Sequence, residues 1–292
     1  MLMKKIFYLC FCIALIVAYS CKKDPVEKNT VLNIAAINSN NSQLVNVNLE
    51  SMKKTTFSIG CHVMSSATFN VKNKTFGYMA CDNKYRIVDI EAGREIKQIP
   101  LVEAISFAVV DTIRNLLIGH YNNGTDRVVT VNLTDGNIVS DKQFYSDVFW
   151  DASTWFFRDI ENEYVLLRSD NVLVFVNPPT GNIVKTLSLT TDAGNGVYDR
   201  KNNRLIGTTY EAAKNYIVTI DVNTGKTLSK VVAQGLGDHF AAEMDYDAET
   251  NCYVLVSSNN EVLFFDVDTG EMKDRVQLDF DLVSLKLWRD RG

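Results

Sequence analysis

The chain has 292 residues, 46% of them hydrophobic and 22% charged, with a formal net charge of -5 at pH 7. That apolar share supports a packed core and excludes a disordered chain. The acidic balance has no cluster of Lys and Arg to offset it, which excludes a phosphate backbone, and therefore nucleic acid, as a partner.

At the N-terminus Lys4 and Lys5 precede an apolar run from Ile6 to Val17, followed by Ala18-Tyr19-Ser20-Cys21. A basic start, a short apolar run and a small-residue end predict a secretory signal over residues 1–20, too short for a spanning helix. Ala18-Tyr19-Ser20-Cys21 resembles the lipobox of bacterial lipoproteins, although Ala18 is smaller and Tyr19 bulkier than is usual there. The resemblance implies that Cys21 is the lipid attachment site and the first mature residue; ordinary cleavage to a free protein is the alternative. Removing Lys4 and Lys5 leaves two fewer bases against the same 35 acids, so the formal charge falls from -5 to -7. Residues 21–30, CKKDPVEKNT, are charged, contain Pro25 and lack apolar periodicity, which predicts a flexible tether. The Cys-Lys-Lys-Asp-Pro start is similar to that of surface-exported lipoproteins of Bacteroidetes-like bacteria. It implies an outer-membrane lipoprotein on the periplasmic or the cell-surface side, with the lipid as its only hold on the membrane.

From residue 31 onward one pattern recurs: an alternating β-rich run, a turn of the form Asp/Asn-x-x-x-Gly, and a second run. Its turn glycines are Gly93, Gly136, Gly181, Gly225 and Gly270, separated by 43, 45, 44 and 45 residues. A period of that size is the mark of a propeller blade. The glycine is required because such turns place one residue at positive φ, where a Cβ clashes. An eroded copy, QLVNVNLESMKKTTFSI over residues 43–59, has Ser51-Met52 where the glycine would fall. One strand, VLNIAAI, precedes it, and LVSLKLW over residues 282–288 follows the last copy with no blade of its own. The prediction is an all-β, six-bladed β-propeller of four-stranded blades over residues 31–292, in one domain. The C-terminal strand completes blade one, which removes open sheet edges.

The turns "DIEAG", "NLTDG", "NPPTG", "DVNTG" and "DVDTG" resemble those of the YVTN and quinoprotein-dehydrogenase-like (PQQ-like) propellers over nearly the whole of residues 31–292. The resemblance implies fold more than activity, since that group includes enzymes, scaffolds and binding proteins. A quinone site in such a propeller needs a tryptophan floor, a basic residue and a calcium-binding carboxylate. With only Trp150, Trp155 and Trp288 and no vicinal cysteine pair, no cofactor is expected. Beyond Cys21 the domain holds Cys61, Cys81 and Cys252, an odd count at wide spacing that reads as buried free thiols rather than a disulfide or zinc framework.

Aligning the innermost strands by the polar residue at their ends equates Asn70, Asp111, Asp159, Asp199, Asp247 and Asp290. Eight residues earlier stand His62, Glu103, Asp151, Thr191, His239 and Leu282, which this register places at the mouth of the central channel. Four residues earlier stand Ser66, Phe107, Trp155, Asn195, Glu243 and Lys286, a mixed ring further in. One reading is a solvated channel whose polar groups bind ordered water. The sharper reading is a polar-ligand or metal site built from His62, Glu103, Asp151, His239, Trp155, Asn195 and Glu243, imidazole and carboxylate together suiting a divalent ion with an open position. His120 and Tyr121 lie beside an Asn/Gly-rich loop read as a long hairpin, and the aromatic patch YSDVFWDASTWFF at residues 145–157 reads mostly as inter-blade packing, with stacking of Trp150 or Trp155 on a sugar or an aromatic ligand near the channel mouth as the alternative.

The function expected from these readings is an envelope-anchored, non-catalytic binding or scaffold module. It would act through its channel face on an envelope protein or a small polar ligand, as a monomer. A metal-assisted, lactonase-like hydrolase at the channel mouth is the alternative, and a quinone-dependent dehydrogenase stands behind both.

Overall fold

Apolar runs that recur every 43–45 residues fold into six separate four-stranded antiparallel sheets. The computed structural model describes residues 30–63, 66–121, 127–143, 154–236 and 243–290. Blade one joins the two ends of the described chain, pairing β1 (Val31–Asn38), β2 (Gln43–Asn48) and β3 (Lys54–Ser58) with the final strand β24 (Leu282–Asp290) in the order β24-β1-β2-β3. Blade two holds β4 (Thr68–Asn70), β5 (Thr75–Met79), β6 (Lys84–Asp89) and β7 (Arg94–Pro100). Blade three holds β8 (Ile105–Asp111), β9 (Leu116–Tyr121), β10 (Arg127–Asn132) and β11 (Ile138–Gln143). In blade four are β12 (Thr154–Arg158), β13 (Glu163–Leu167), β14 (Val172–Asn177) and β15 (Asn182–Ser188). Blade five contains β16 (Gly194–Asp199), β17 (Arg204–Glu211), β18 (Lys214–Asp221) and β19 (Thr227–Val232). Blade six contains β20 (Glu243–Asp247), β21 (Cys252–Val256), β22 (Glu261–Asp266) and β23 (Met272–Gln277). The molecule is a six-bladed β-propeller closed by its C-terminal strand, as the repeat predicts.

Burial explains the sequence pattern. The middle strands are covered on both sides by neighbouring blades, so β13 and β21 are buried at every position. Outer strands alternate, as β15 and β19 do, because one side faces solvent. The apolar side chains gather in six clusters, each lying between two successive blades. Each fully buried Val, Leu, Ile or Phe contributes roughly 1.5–3 kcal/mol, so the seams between blades carry the stability of the ring.

The repeated turn closes the third strand onto the fourth in every blade. In blade six, Asp266 Oδ1 accepts hydrogen bonds from the amides of Asp268 and Thr269, and the Gly270 amide donates to the Asp266 carbonyl at 2.8 Å. Gly270 sits at φ 71°, and a Cβ there would lie 2.1 Å from the carbonyl oxygen of Val232 in blade five. Both the turn and the neighbouring blade therefore exclude any other residue. In blade one Asn48 caps the same turn, but Met52 takes the left-handed conformation at φ 55°.

The cysteine reading needs correction. Cys61 and Cys81 form a disulfide with their Cα atoms 5.5 Å apart, and among the described residues only Cys252 is a free thiol, buried as expected. The spacing of 20 residues concealed the pair, because one cysteine lies on the connection into β4 and the other on the turn between β5 and β6. Folding of the blade brings those two connections to the same end.

Candidate functional site in the central channel

Each inner strand runs down the channel wall, so the connections entering it lie on one face, together with the turns between second and third strands. This is the mouth face. The turns between first and second strands, and between third and fourth, lie on the opposite, base face. The Asp residues aligned from sequence end the inner strands at the base and act there as structural caps. Asp111 Oδ1 accepts from the amides of Ile113 and Arg114, and Asp199 Oδ1 from Lys201 and Asn202. Salt bridges also tie successive blades on this side, as from Arg200 to Asp159 at 3.3 Å.

The channel encloses a cavity of about 560 Å³ lined by residues of all six inner strands. Of the seven candidate ligand-binding residues, Trp155, Asn195 and Glu243 line it. His62 stays on the mouth connection beside the disulfide, half-buried and bridged to Ala80, with its Nε2 enclosed and without a hydrogen-bond partner. Glu103 is half-buried on the connection into β8, near enough to Tyr121 for its charge, after burial and Asp141, to help push that phenol up to about 12. Asp151 and His239 lie outside the described residues. Within the second ring, Lys286 lines the cavity, whereas Ser66 and Phe107 turn away. Ser66 is fully buried, donating to the Val63 carbonyl at 2.6 Å and accepting from the Met79 amide at 2.9 Å. Phe107 packs edge-on against Trp155, with ring centroids 4.9 Å apart, and faces His120 on its other side.

His120 lies on β9, which pairs with β10 as the hairpin reading expects, and it is buried beside Phe107. It pairs with Ser106 on one side and Val128 on the other, inside the sheet.

Sequence alignment of single positions missed Asp245, which stands two residues after Glu243 on the same face of β20 and also lines the channel. The signal was present in the period-two alternation of the strand. The two carboxylates reach across the seam to the closing strand: Glu243 accepts from the Leu285 amide at 3.3 Å and Asp245 from the Leu287 amide at 2.7 Å. Burial raises the pKa of Glu243, against the Ser284 amide, the Lys286 charge and the Leu285 amide. Burial likewise raises Asp245, against the Lys286 charge and the amides of Leu287 and Tyr246. One side of the channel is thus aromatic and aliphatic, with Trp155, Phe69 and Val109, and the other is polar, with Asn195, Glu243, Asp245, Ser284 and Lys286.

The inner strands of blades one, three and five each carry a bulge, whose first residue is left-handed: Ser284 at φ 62°, Phe107 at φ 51° and Asn195 at φ 52°. These bulges re-aim side chains around the channel wall. Neighbouring blades hold two of them from behind: Tyr164 donates to the Phe107 carbonyl at 2.7 Å and Tyr253 to the Asn195 carbonyl at 2.6 Å. Burial raises the pKa of both phenols, keeping them protonated donors.

A second cleft, of about 580 Å³, follows the seam between blades six and one and reaches Cys252. Burial pushes that thiol's pKa up, so it is no reactive thiolate. Among the described residues no three His, Cys, Asp or Glu side chains come together as a metal site. No described helix is long and apolar enough to cross a membrane.

No protein-family model matches the sequence, and no curated protein does. Solved structures do match. A protein of unknown function from Bacteroides caccae superposes with a TM-score of 0.67 at 11% identity, covering 90% of this chain and 100% of that one. A chain of a nidogen/laminin complex gives a TM-score of 0.63 at 12% identity, covering 89% and 98%. The β-propeller domain of Cps50 (Swd1) from Myceliophteria thermophila gives 0.56 at 8%, covering 89% and 90%. At these identities the likeness establishes the propeller fold and nothing finer.

Proposed function

We propose that this protein is an envelope-anchored binding module that takes a polar ligand, or an extended side chain of a partner protein, into its central channel. The observation that carries the reading is the cavity itself: about 560 Å³, aromatic on one wall and hydrogen-bonding on the other. That volume and mixture suit a small-molecule site. The Cys61–Cys81 disulfide beside the mouth supports an oxidising compartment outside the cytoplasm, in keeping with the signal and lipobox reading of residues 1–21. The binding propellers among the structural neighbours supply analogy of fold only.

The ligand expected is neutral or cationic. On the mouth face, the described connections carry Asp82, Glu103, Asp170, Asp192, Asp279 and Asp281, of which Asp82 is paired with Lys84 and Arg86, Asp170 with Arg168 and Asp279 with Lys54. The acidic balance left over disfavours anions at the entrance.

The test is native mass spectrometry of the protein purified from its own envelope fraction, before and after denaturation and chelation. A bound mass lost on denaturation, and absent from Glu243→Gln and Asn195→Ala variants, supports the channel as the site. A bound mass indifferent to both variants moves the site elsewhere and overturns the proposal. A chelation-sensitive mass together with lactone turnover lost in His62→Ala would install the hydrolase reading in its place.

A further inference from the structure

Thr30, where the described chain begins, opens β1 at the base face and is held there by Arg289 and Glu249. The same face carries an uncovered aliphatic set. Val71, Ile113 and Ile160 occupy the turns between first and second strands in blades two, three and four, and are 56%, 68% and 87% exposed. The last two turns touch: the Arg114 guanidinium reaches the Asp159 carbonyl and the Asn162 side chain, each at 3.4 Å. Single exposed aliphatics are ordinary, but one in the turn between first and second strands of each of three consecutive blades makes a patch.

Basic side chains flank the patch: Lys72 shares the turn of Val71, Arg114 that of Ile113, and Arg200 and Lys201 lie in the next blade, beside Asp159 and Glu161 in the turn of Ile160. Lys and Arg near an anionic bilayer surface are attracted to it.

We infer that the base face is seated on the lipid surface, with Val71, Ile113 and Ile160 at the headgroup boundary and the channel mouth directed away from the membrane. This rests on the anchoring reading, in which Cys21 carries the lipid. Nine peptide steps lead from Cys21 to Thr30, and at roughly 3.3 Å each they hold this face within about 30 Å of the bilayer. A lipid chain combined with a second, weaker contact is the arrangement that fixes orientation as well as attachment. The patch supplies that contact, and the ligand site is left open to whatever arrives from outside.

The experiment uses the full chain, expressed with its leader, recovered from membranes and reconstituted in anionic vesicles. Ile113→Cys, Ile160→Cys and, on the mouth face, Asn259→Cys variants are each labelled with a polarity-sensitive fluorophore. Among the described residues the native cysteines do not compete, Cys61 and Cys81 being bonded and Cys252 only 4% exposed, and Cys21 is blocked where it carries the lipid. The expected result is quenching of about two-fold or more by nitroxide-bearing lipids at positions 113 and 160, and none at 259. Intact-mass analysis of the same samples reads the lipid on Cys21 independently. A lipidated, vesicle-bound protein whose labels at 113 and 160 stay unquenched, or are quenched no more than at 259, overturns the seat and leaves the anchor standing. Labels unquenched on vesicles but shielded in whole cells assign the patch to a protein partner and equally overturn it. An unmodified Cys21 overturns the anchor and the seat together.

Discussion

The guanidinium of Arg289, near the end of the C-terminal strand, grips the carboxylate of Asp247 in blade six through two hydrogen bonds, the one from Nε to Oδ1 being 3.0 Å. The same guanidinium donates from Nη1 to the carbonyl and hydroxyl of Thr30, both at 3.1 Å. One side chain therefore links the last blade, the closing strand and the first strand. Burial alone would raise the Asp247 pKa, but the hydrogen bonds from Arg289 and Thr250 and the guanidinium charge outweigh it and hold the carboxyl below its usual range. Because the folded value is lowered, this stability is present above the unfolded carboxylate range, near pH 4, and is lost as pH falls through the folded value. Arg289→Ala leaves a buried carboxylate unpaired and should cost about 3 kcal/mol. Urea unfolding at pH 7 and pH 3 checks both statements: the penalty of the variant should be large at the first and shrink at the second.

Glu243 and Asp245 give the opposite sign. Burial raises both values in the fold, so their contribution is fully present below the unfolded carboxylate range and is lost as pH rises through the raised folded values. Glu243→Gln and Asp245→Asn keep a carbonyl to accept the Leu285 and Leu287 amides and remove the charge. Each should flatten the decline in melting temperature between about pH 4 and pH 7 relative to the parent. A parent whose stability rises steadily over that interval would contradict the assignment.

The disulfide between Cys61 and Cys81 closes a loop of sequence separation 20, for which chain-entropy arguments give roughly 3 kcal/mol. Reductant, or a Cys61→Ser/Cys81→Ser double variant, should lower the denaturation midpoint accordingly. The variant should also be indifferent to added reductant.

The bulges of blades three and five require a small residue opposite them. A Cβ at Gly119 would lie 2.3 Å from Ile105 Cγ2 and 2.9 Å from the Ser106 carbonyl, so Gly119→Ala should cost about 1–3 kcal/mol by overpacking. Blade one has Ala36 at the matching position and accommodates its Cβ. Behind the same bulge, Tyr164→Phe strips the Phe107 carbonyl of its donor and should cost roughly 1–2 kcal/mol. Blade two already carries Phe76 at the corresponding place, paired with Phe69 as Tyr164 is with Phe157. Chemical denaturation of the two variants measures both effects.

The channel site was half legible. Trp155, Asn195, Glu243 and Lys286 follow from counting back along aligned inner strands, because a regular strand converts sequence spacing directly into height on the wall. The same count failed for Ser66 and Phe107. Phe107 opens the same bulge that Asn195 opens in blade five, but its ring turns into the seam against Trp155 and His120, and Ser66 precedes the short strand β4 and is drawn into backbone hydrogen bonds. His62 and Glu103 were placed at the correct end of the molecule but on connections, whose paths the strand period does not govern.

The sequence by itself determined the number of blades, the turn that closes each one and the strand that closes the ring. Those features rest on local chemistry: a glycine at positive φ, an Asp or Asn cap and a period of two, repeated every 43–45 residues. Tertiary structure alone decided that Cys61 meets Cys81 and that Glu243 and Asp245 bind the closing strand. Each of these joins residues from different connections or blades. Their proximity is fixed by how six sheets pack around one axis, which no local pattern encodes.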